Sequence, residues 1–291
     1  MMQIVLHLGA HKTATTHLQQ ALKRSRAALT DRETALFLPD DLRRNGLMLQ
    51  DWLGQSSTDP EHEAILRAAF ARPARRLLIS EENAIGMVPG PSLTRDGLLY
   101  ARAGQRLARL RRVLPEAPVT LALAVREGAG FLASCHVQAL MAGRVAPFAQ
   151  VFGGIDPAGL DWAGLADRLL SAWPGARLLV WDHADWPAVA DQVAAALLGP
   201  GARAPDWPRG LSHPGLSAPA VARLLAEAPP DPGAARDLAR RLRRDLGKEA
   251  GHPPYDPWPA EYRLRATAAL KRDLAALDRR PDTRVIRPEA G

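Results

Sequence analysis

The chain has 291 residues, of which 47% are apolar and 24% charged, with a formal net charge of +7. This balance excludes a disordered, fibrous or repeat-built chain and supplies enough apolar surface for one large domain, residues 1–291, rather than two small ones. No window approaches the roughly 18 apolar residues of a membrane-spanning helix, His7 and His11 interrupt the N-terminal apolar run too soon for a signal peptide, and the lone Cys135 can form no internal disulfide, so a cytoplasmic location is expected.

In chain order, residues 4–8 read as a buried strand and residues 15–25 as a helix with Leu18, Ala21 and Leu22 on one face. Residues 39–60 are mostly polar and read as loop with one short helix. A second apolar run at 75–80, RRLLIS, ends in the acidic pair Glu81 and Glu82. Leu107, Leu110, Val113 and Leu114 fall at helical spacing within 100–114, and Pro115 closes that helix. Residues 119–127, VTLALAVRE, make the clearest strand, followed by a helix over about 130–143. After a loop to about 160 come a helix through Trp173, a strand over 176–183 and a helix over 188–198 ended by Gly199.

Strands alternating with helices predict right-handed crossovers and a central, mostly parallel sheet flanked by helices, the α/β class, with ligands at the carboxyl ends of the strands. Residues 200–291 are punctuated by prolines and read as a helical appendage on a core of about 1–199, with the last ten residues frayed.

The positive charge does not by itself indicate nucleic acid. Only four of the 38 basic residues are lysines (Lys12, Lys23, Lys248 and Lys271), and arginine is spread through a chain rich in Ala, Pro and Gly. Clusters such as Arg240, Arg241, Arg243 and Arg244 alternate with aliphatics as on a solvated helix face, and aromatic residues at 5% are too few for a base-stacking platform.

That scarcity makes Lys12 conspicuous. It lies in GAHKTATT, residues 9–16, between the first strand and the first helix. A strand feeding a glycine turn and a helix aims backbone N–H groups at one spot where the helix dipole also favours negative charge, and Lys12 with the hydroxyls of Thr13, Thr15 and Thr16 suits a phosphate or sulfate ester. The ATPase pattern G-x-x-x-x-G-K-[ST] is not met, because His11 precedes the lysine and Gly9 lies only three positions before it. Asp182 is the nearest candidate for a magnesium-binding aspartate. No His, Cys and carboxylate set has metal-ligand spacing.

The stretch HLGAHKTATTHLQ, residues 7–19, resembles the 5'-phosphosulfate loop of sulfotransferases, with Lys12, Thr13, Ala14, Thr15 and Thr16 at its positions and His11 just before. Ala14 stands where that family has glycine; its β-carbon is tolerated at negative φ and otherwise costs roughly 1 kcal/mol or more. After the clearest strand, VREGAGFLASCHVQAL is similar to the family's 3'-phosphate element, giving Arg126 and, eight residues on, Ser134. A guanidinium binds phosphate in two-pronged fashion and a helical serine adds a hydroxyl. The resemblance, to bacterial carbohydrate-sulfotransferase-like members with a P-loop NTPase-like fold, implies transfer of a sulfuryl group from 3'-phosphoadenosine 5'-phosphosulfate. The acceptor would be a hydroxyl or amine, a carbohydrate among the candidates, and no metal is required.

The resemblance also implies roles. Lys12 would stabilise charge on the leaving phosphate oxygen, and Glu82, then Glu81, would be the general base, since carbohydrate-type members carry a serine and glutamate after the second strand, here LLISEEN. Glutamates at a strand end also cap helices, and His11 could approach the acceptor. His136 is expected to pack elsewhere, Cys135 to be a small buried residue, and the tryptophans to pack in the core. Segments 39–59, 84–96, 143–156 and the proline-rich end would line the acceptor pocket. Two other functions fit the loop: a magnesium-dependent nucleotide kinase or hydrolase with a degenerate phosphate loop, and a non-catalytic binding protein of the same fold.

Overall fold

A computed structural model describes residues 2–44, 46–57, 59–88, 93–95, 98–210 and 215–289. Its strands are β1 (Gln3–His7), β2 (Thr34–Phe37), β3 (Arg76–Ser80), β4 (Thr94–Arg95), β5 (Leu98–Leu99), β6 (Val119–Val125), β7 (Arg177–Asp182) and β8 (Thr283–Ile286). The helices up to the third crossover are α1 (Thr15–Arg24), α2 (Arg26–Thr30), α3 (Pro39–Leu42), α4 (Leu49–Gly54), α5 (Pro60–Phe70) and α6 (Ala103–Arg111). Beyond it come α7 (Gly128–Met141), α8 (Phe148–Phe152), α9 (Trp162–Ala172), α10 (Trp186–Leu198), α11 (Ala218–Glu227), α12 (Pro232–Asp245) and α13 (Ala260–Asp278).

Six strands form one sheet in the order β2-β3-β1-β6-β7-β8, and every pairing in it is parallel. β4 and β5 form a separate antiparallel pair. The sheet is buried on both faces, so its strands read as continuous apolar runs rather than alternating ones. Their side chains still alternate in space: Ile4, Leu6, Leu77, Ile79, Leu121, Leu123, Leu178 and Val180 enter one core with α5, α6 and α9, while Val5, Leu78, Ala122, Ala124, Leu179 and Trp181 enter the other with α1 and α10. A third, smaller cluster joins the outer side of α7 to α11 and α12 through Val137, Leu140, Val221, Leu224, Leu238 and Leu242.

The neighbours β1 and β6 send their following helices to opposite faces. Leu18 and Leu22 of α1 pack in the second core, whereas Phe131 and Leu132 of α7 pack in the first. A crevice therefore opens at the carboxyl ends of β1 and β6, the place where an open parallel sheet binds ligands.

The structure differs from the sequence reading at several places. Residues 34–37 form β2 and residues 60–70 form α5, neither of which was expected, and segment 39–60 holds two short helices rather than one. β2 is only four residues long and follows the exposed turn 31–33, so its pattern is too short to show. The last ten residues are not frayed: Thr283–Ile286 pair in parallel with β7, and Ile286 is buried in the second core. Only 290–291 of that tail lie outside the described residues, as do residues 89–92 and 96 of the expected acceptor segment 84–96. Among the described residues no helix is long and apolar enough to cross a membrane.

Ile286→Ala should lower the unfolding free energy by about 2–4 kcal/mol in urea titration, the range for truncating a buried aliphatic side chain. An unchanged midpoint would show that the sheet does not need its last strand.

Candidate active site

The loop after β1 keeps pairing with β6 past the end of the strand. Leu8 and Ala10 donate N–H to the carbonyls of Ala122 and Ala124 at 2.9 and 3.0 Å, and Gly9 accepts from the N–H of Ala124. Gly9 has φ +90°, and a Cβ built there would lie 2.9 Å from the Glu82 Cβ, so this position admits only glycine. Glu82 thus sits directly against the start of the loop.

The chain then turns through Lys12 at φ 60° and Ala14 at φ 65°, both left-handed. Ala14 caps α1 without a side-chain hydrogen bond. Its φ is therefore the positive one that the alanine-for-glycine difference makes costly. The Thr13 and Thr15 hydroxyls donate to the Ala10 carbonyl at 2.6 and 3.0 Å, and the Arg126 Nη1 donates to the Lys12 carbonyl at 2.8 Å. These bonds fix the loop's carbonyls. Among the described residues no acceptor meets the backbone N–H groups of Lys12, Thr13, Ala14, Thr15 and Thr16; the first bonded amide is that of His17, to Ala14. Free amides gathered around two left-handed residues have the form of an anion nest, and the dipole of α1 adds to it.

Lys12 and Arg126 are half-buried and, like Lys248, form no ion pair among the described residues. Burial lowers the Lys12 ammonium pKa, and the charges of Arg126 and Lys248 push the same way against a smaller pull from Glu82. Desolvation likewise lowers Arg126, and partial desolvation with Arg126 lowers Lys248, which stands at the rim just after α12. His183, at the end of β7, falls to about 4 through burial and then the charges of Arg126 and Lys12. The site thus gathers cations that, among the described residues, form no direct ion pair, with Glu82, Glu127 and Asp182 as the more distant carboxylates. Burial and mutual repulsion of these cations make the spot favourable for negative charge.

Ser134 lies half-buried on α7, its hydroxyl without a hydrogen-bond partner among the described residues, one position before Cys135. The Cys135 thiol is fully buried and pushed up to about 12 by that burial, against Lys12 and Arg126, which leaves it un-ionised. His136 is buried between Phe148, Phe152 and Tyr255, with Nε2 on the Ala146 carbonyl at 2.8 Å, so it packs away from the site as expected. Asp182 caps the turn after β7 through the Ala184 N–H at 3.0 Å.

His11 is almost fully buried. Its Nδ1 lies 2.8 Å from the Tyr100 hydroxyl and its Nε2 2.9 Å from Asn83 Oδ1, an arrangement that makes Nε2 the protonated nitrogen. Burial lowers its pKa. The ring is thus occupied in bracing the loop from below. Glu81 is buried and both of its oxygens are taken, by the Arg43 fork and the Asn83 N–H. Burial raises the Glu81 carboxyl; at Glu82 the same effect is outweighed by the His11 ring, the Arg43 charge and the Gln19 amide, which hold it below the usual range. Of the two glutamates, Glu82 is the one whose side chain reaches solvent, at 19% exposure against 0% for Glu81.

Four contributors escaped the sequence reading: Arg43, Tyr100, Asn83 and Lys248. For Lys248 a signal existed, since it shares with Lys12 the distinction of being lysine in an arginine-rich chain. The other three act through contacts between distant segments, which no local pattern displays. Among the described residues no group of three or more His, Cys, Asp or Glu side chains is arranged to hold a metal ion.

Ala14→Gly should raise stability by up to about 1 kcal/mol, because it removes a β-carbon from a left-handed residue at a smaller cost in unfolded-chain entropy; a fall in the thermal midpoint would show that the methyl group's packing outweighs the strain. His7 is fully buried, its Nδ1 2.7 Å from the Ser80 hydroxyl, and burial, partly opposed by Glu82, brings its pKa down to about 4. A folded pKa below the unfolded 6.5 means that stability present above pH 6.5 is lost as pH falls through about 4, by up to about 3 kcal/mol. Urea midpoints between pH 7 and 4 check this, and a flat profile would refute it.

No family model matches the chain, and no curated protein matches it. Among solved structures it is similar to the crystal structure of a sulfotransferase from Alicyclobacillus acidocaldarius, at 14% identity and a TM-score of 0.43, over 82% of this chain and 94% of that one. At that level the likeness identifies neither family nor reaction, and the functional reading rests on the site itself.

Proposed function

We propose that the protein is a cytoplasmic sulfotransferase that moves a sulfuryl group from 3'-phosphoadenosine 5'-phosphosulfate to a hydroxyl or amine of an acceptor, a carbohydrate among the candidates, without a metal. The observation that carries this reading is the nest of five free amides at Lys12–Thr16, with Arg126 and Lys248 as further unpaired cations beside Lys12. A donor with separate 5' and 3' anionic ends fits that division. The loop amides, Lys12 and the exposed Thr16 would hold the 5' end, with Arg126, Lys248 and Ser134 for the 3'-phosphate.

The bound donor supplies an activated sulfuryl group on a phosphate oxygen. The remaining work is positioning and charge stabilisation, by analogy with phosphoryl transfer. Lys12 is a compact charge placed to offset negative charge as it builds on the leaving oxygen. Thr13, Thr15 and His11 keep the loop in the shape that presents its amides. Glu82, ionised and adjacent to Gly9, is the base for the acceptor proton, and its low pKa keeps it unprotonated at neutral pH.

Calorimetric titration with 3',5'-adenosine bisphosphate, with and without magnesium and beside ATP, tests the assignment. Binding on the order of micromolar that ignores magnesium is expected, weakened at least about tenfold in Arg126→Ala and in Lys248→Ala. Lys12→Ala should lower the transfer rate by on the order of a hundredfold. Binding of ATP alone, and only with magnesium, would instead assign the loop to a kinase or hydrolase, and bisphosphate binding without transfer to any acceptor would leave a binding protein.

A further inference from the structure

Arg43, at the end of α3, lies between two carboxylates. Its Nε and Nη2 donate to Glu81 Oε2 and Oε1 at 2.9 and 2.6 Å, and Nη2 also donates to Glu82 Oε1 at 2.9 Å. The other oxygen of Glu82, Oε2, accepts from Gln19 Nε2 of α1 at 2.9 Å. Gln19 Nε2 in turn lies 3.2 Å from the Ser80 hydroxyl, which meets His7. One carboxylate of the pair is therefore fully buried and consumed, and the other is clamped at both oxygens while its side chain keeps some exposure. A single surface ion pair would immobilise nothing. Here the guanidinium is itself fixed in two-pronged fashion by a carboxylate that cannot move, so the second N–H of its Nη2 is delivered to Glu82 in one geometry.

Taking the sulfotransferase reading as the basis, we propose that Arg43 is a positioning residue that holds Glu82 ionised and aimed beside the phosphate loop, with Glu81 serving as the anchor of Arg43 rather than as a second base. The proton leaves the acceptor hydroxyl and comes to rest on a Glu82 oxygen, converting carboxylate to acid, and then passes to solvent. Arg43 keeps its own protons throughout. The charged and titratable groups that face Glu82 are His7, His11, Lys12, Arg43, Glu81 and Tyr100. Of these, Arg43 is the cation that bonds it directly.

The test is carboxyl-carbon NMR titration of isotopically labelled glutamate in the full chain, with Glu82 assigned through Glu82→Gln. Arg43→Ala leaves Glu81 buried and unpaired, so the double variant Arg43→Ala with Glu81→Gln is measured beside it and beside Arg43→Lys. In the double variant the Glu82 midpoint should rise by about one pH unit or more, and the acid limb of the transfer rate should rise with it. Arg43→Lys should restore part of the shift. The affinity for 3',5'-adenosine bisphosphate should stay within about threefold in every variant, since Arg43 lies outside the donor's cations. An unmoved Glu82 midpoint in a folded variant, with only the melting temperature lowered, would overturn the proposal and leave Arg43 a structural residue. Should the wild-type chain bind no bisphosphate, the sulfotransferase reading falls, and the Glu82 midpoint still decides whether Arg43 governs that carboxyl.

Discussion

The structure is organised around buried positive charge that forms no direct ion pair. Five amides of one loop and three cations from three separate segments converge while Glu82, Glu127 and Asp182 act on them only from a distance, and taking Lys12 and Arg126 out of water without a bonded counter-ion is costly. A protein tolerates such a defect only if the rest of the fold holds it in place. The holding is visible in detail: loop carbonyls are tied by Thr13, Thr15 and Arg126, the loop's underside is braced by His11 on Tyr100 and Asn83, and its first residue is packed against Glu82.

The sheet supplies the frame for that arrangement. Because β1 and β6 are neighbours whose helices leave to opposite faces, the turns that follow them are forced side by side, and residues 114 apart in sequence meet at one hydrogen bond between Arg126 and Lys12. β3 stands on the other side of β1 and ends one residue before Glu81, so the acidic pair is delivered to the same end of the sheet. Three parallel strands thus contribute a cation-bearing loop, an arginine and a carboxylate to one crevice, and their register with one another fixes the spacing.

How much of this could be read from the sequence depends on how local each feature is. The strand, glycine turn and helix around Lys12 form a continuous pattern, as do the apolar run ending at Arg126 and the one ending at Glu81, and all three were legible with boundaries close to those observed. Fold class followed from the alternation of those runs. What was not legible is relational. Arg43 gains its place only because β2 lies beside β3, so that the turn after α3 meets the residues just past β3, and His11 finds Tyr100 across 89 residues. β8 is a four-residue strand whose pattern is too short to signal itself and whose partner lies a hundred residues upstream. The hydroxyls of Thr13 and Thr15 illustrate a subtler limit: residue type told that they belong to the loop, and only the geometry told that they face its own carbonyl.

The last strand changes what kind of segment residues 200–282 are. A chain end that merely leans on a domain can fray one helix at a time, but the connection that leaves the sheet after β7 runs through α10, packed in the second core, and re-enters the sheet at β8, so residues 200–282 lie within a loop held at both ends. Lys248 is carried near its middle. Its position, close enough to act on Lys12 and Arg126, is therefore set from both directions by the main sheet, and the final rung that closes this loop joins residues separated by about a hundred positions, a contact of high sequence separation that forms late when folding follows topology. The segment that carries Lys248 is thus tied to the sheet through β8 as well as through β7.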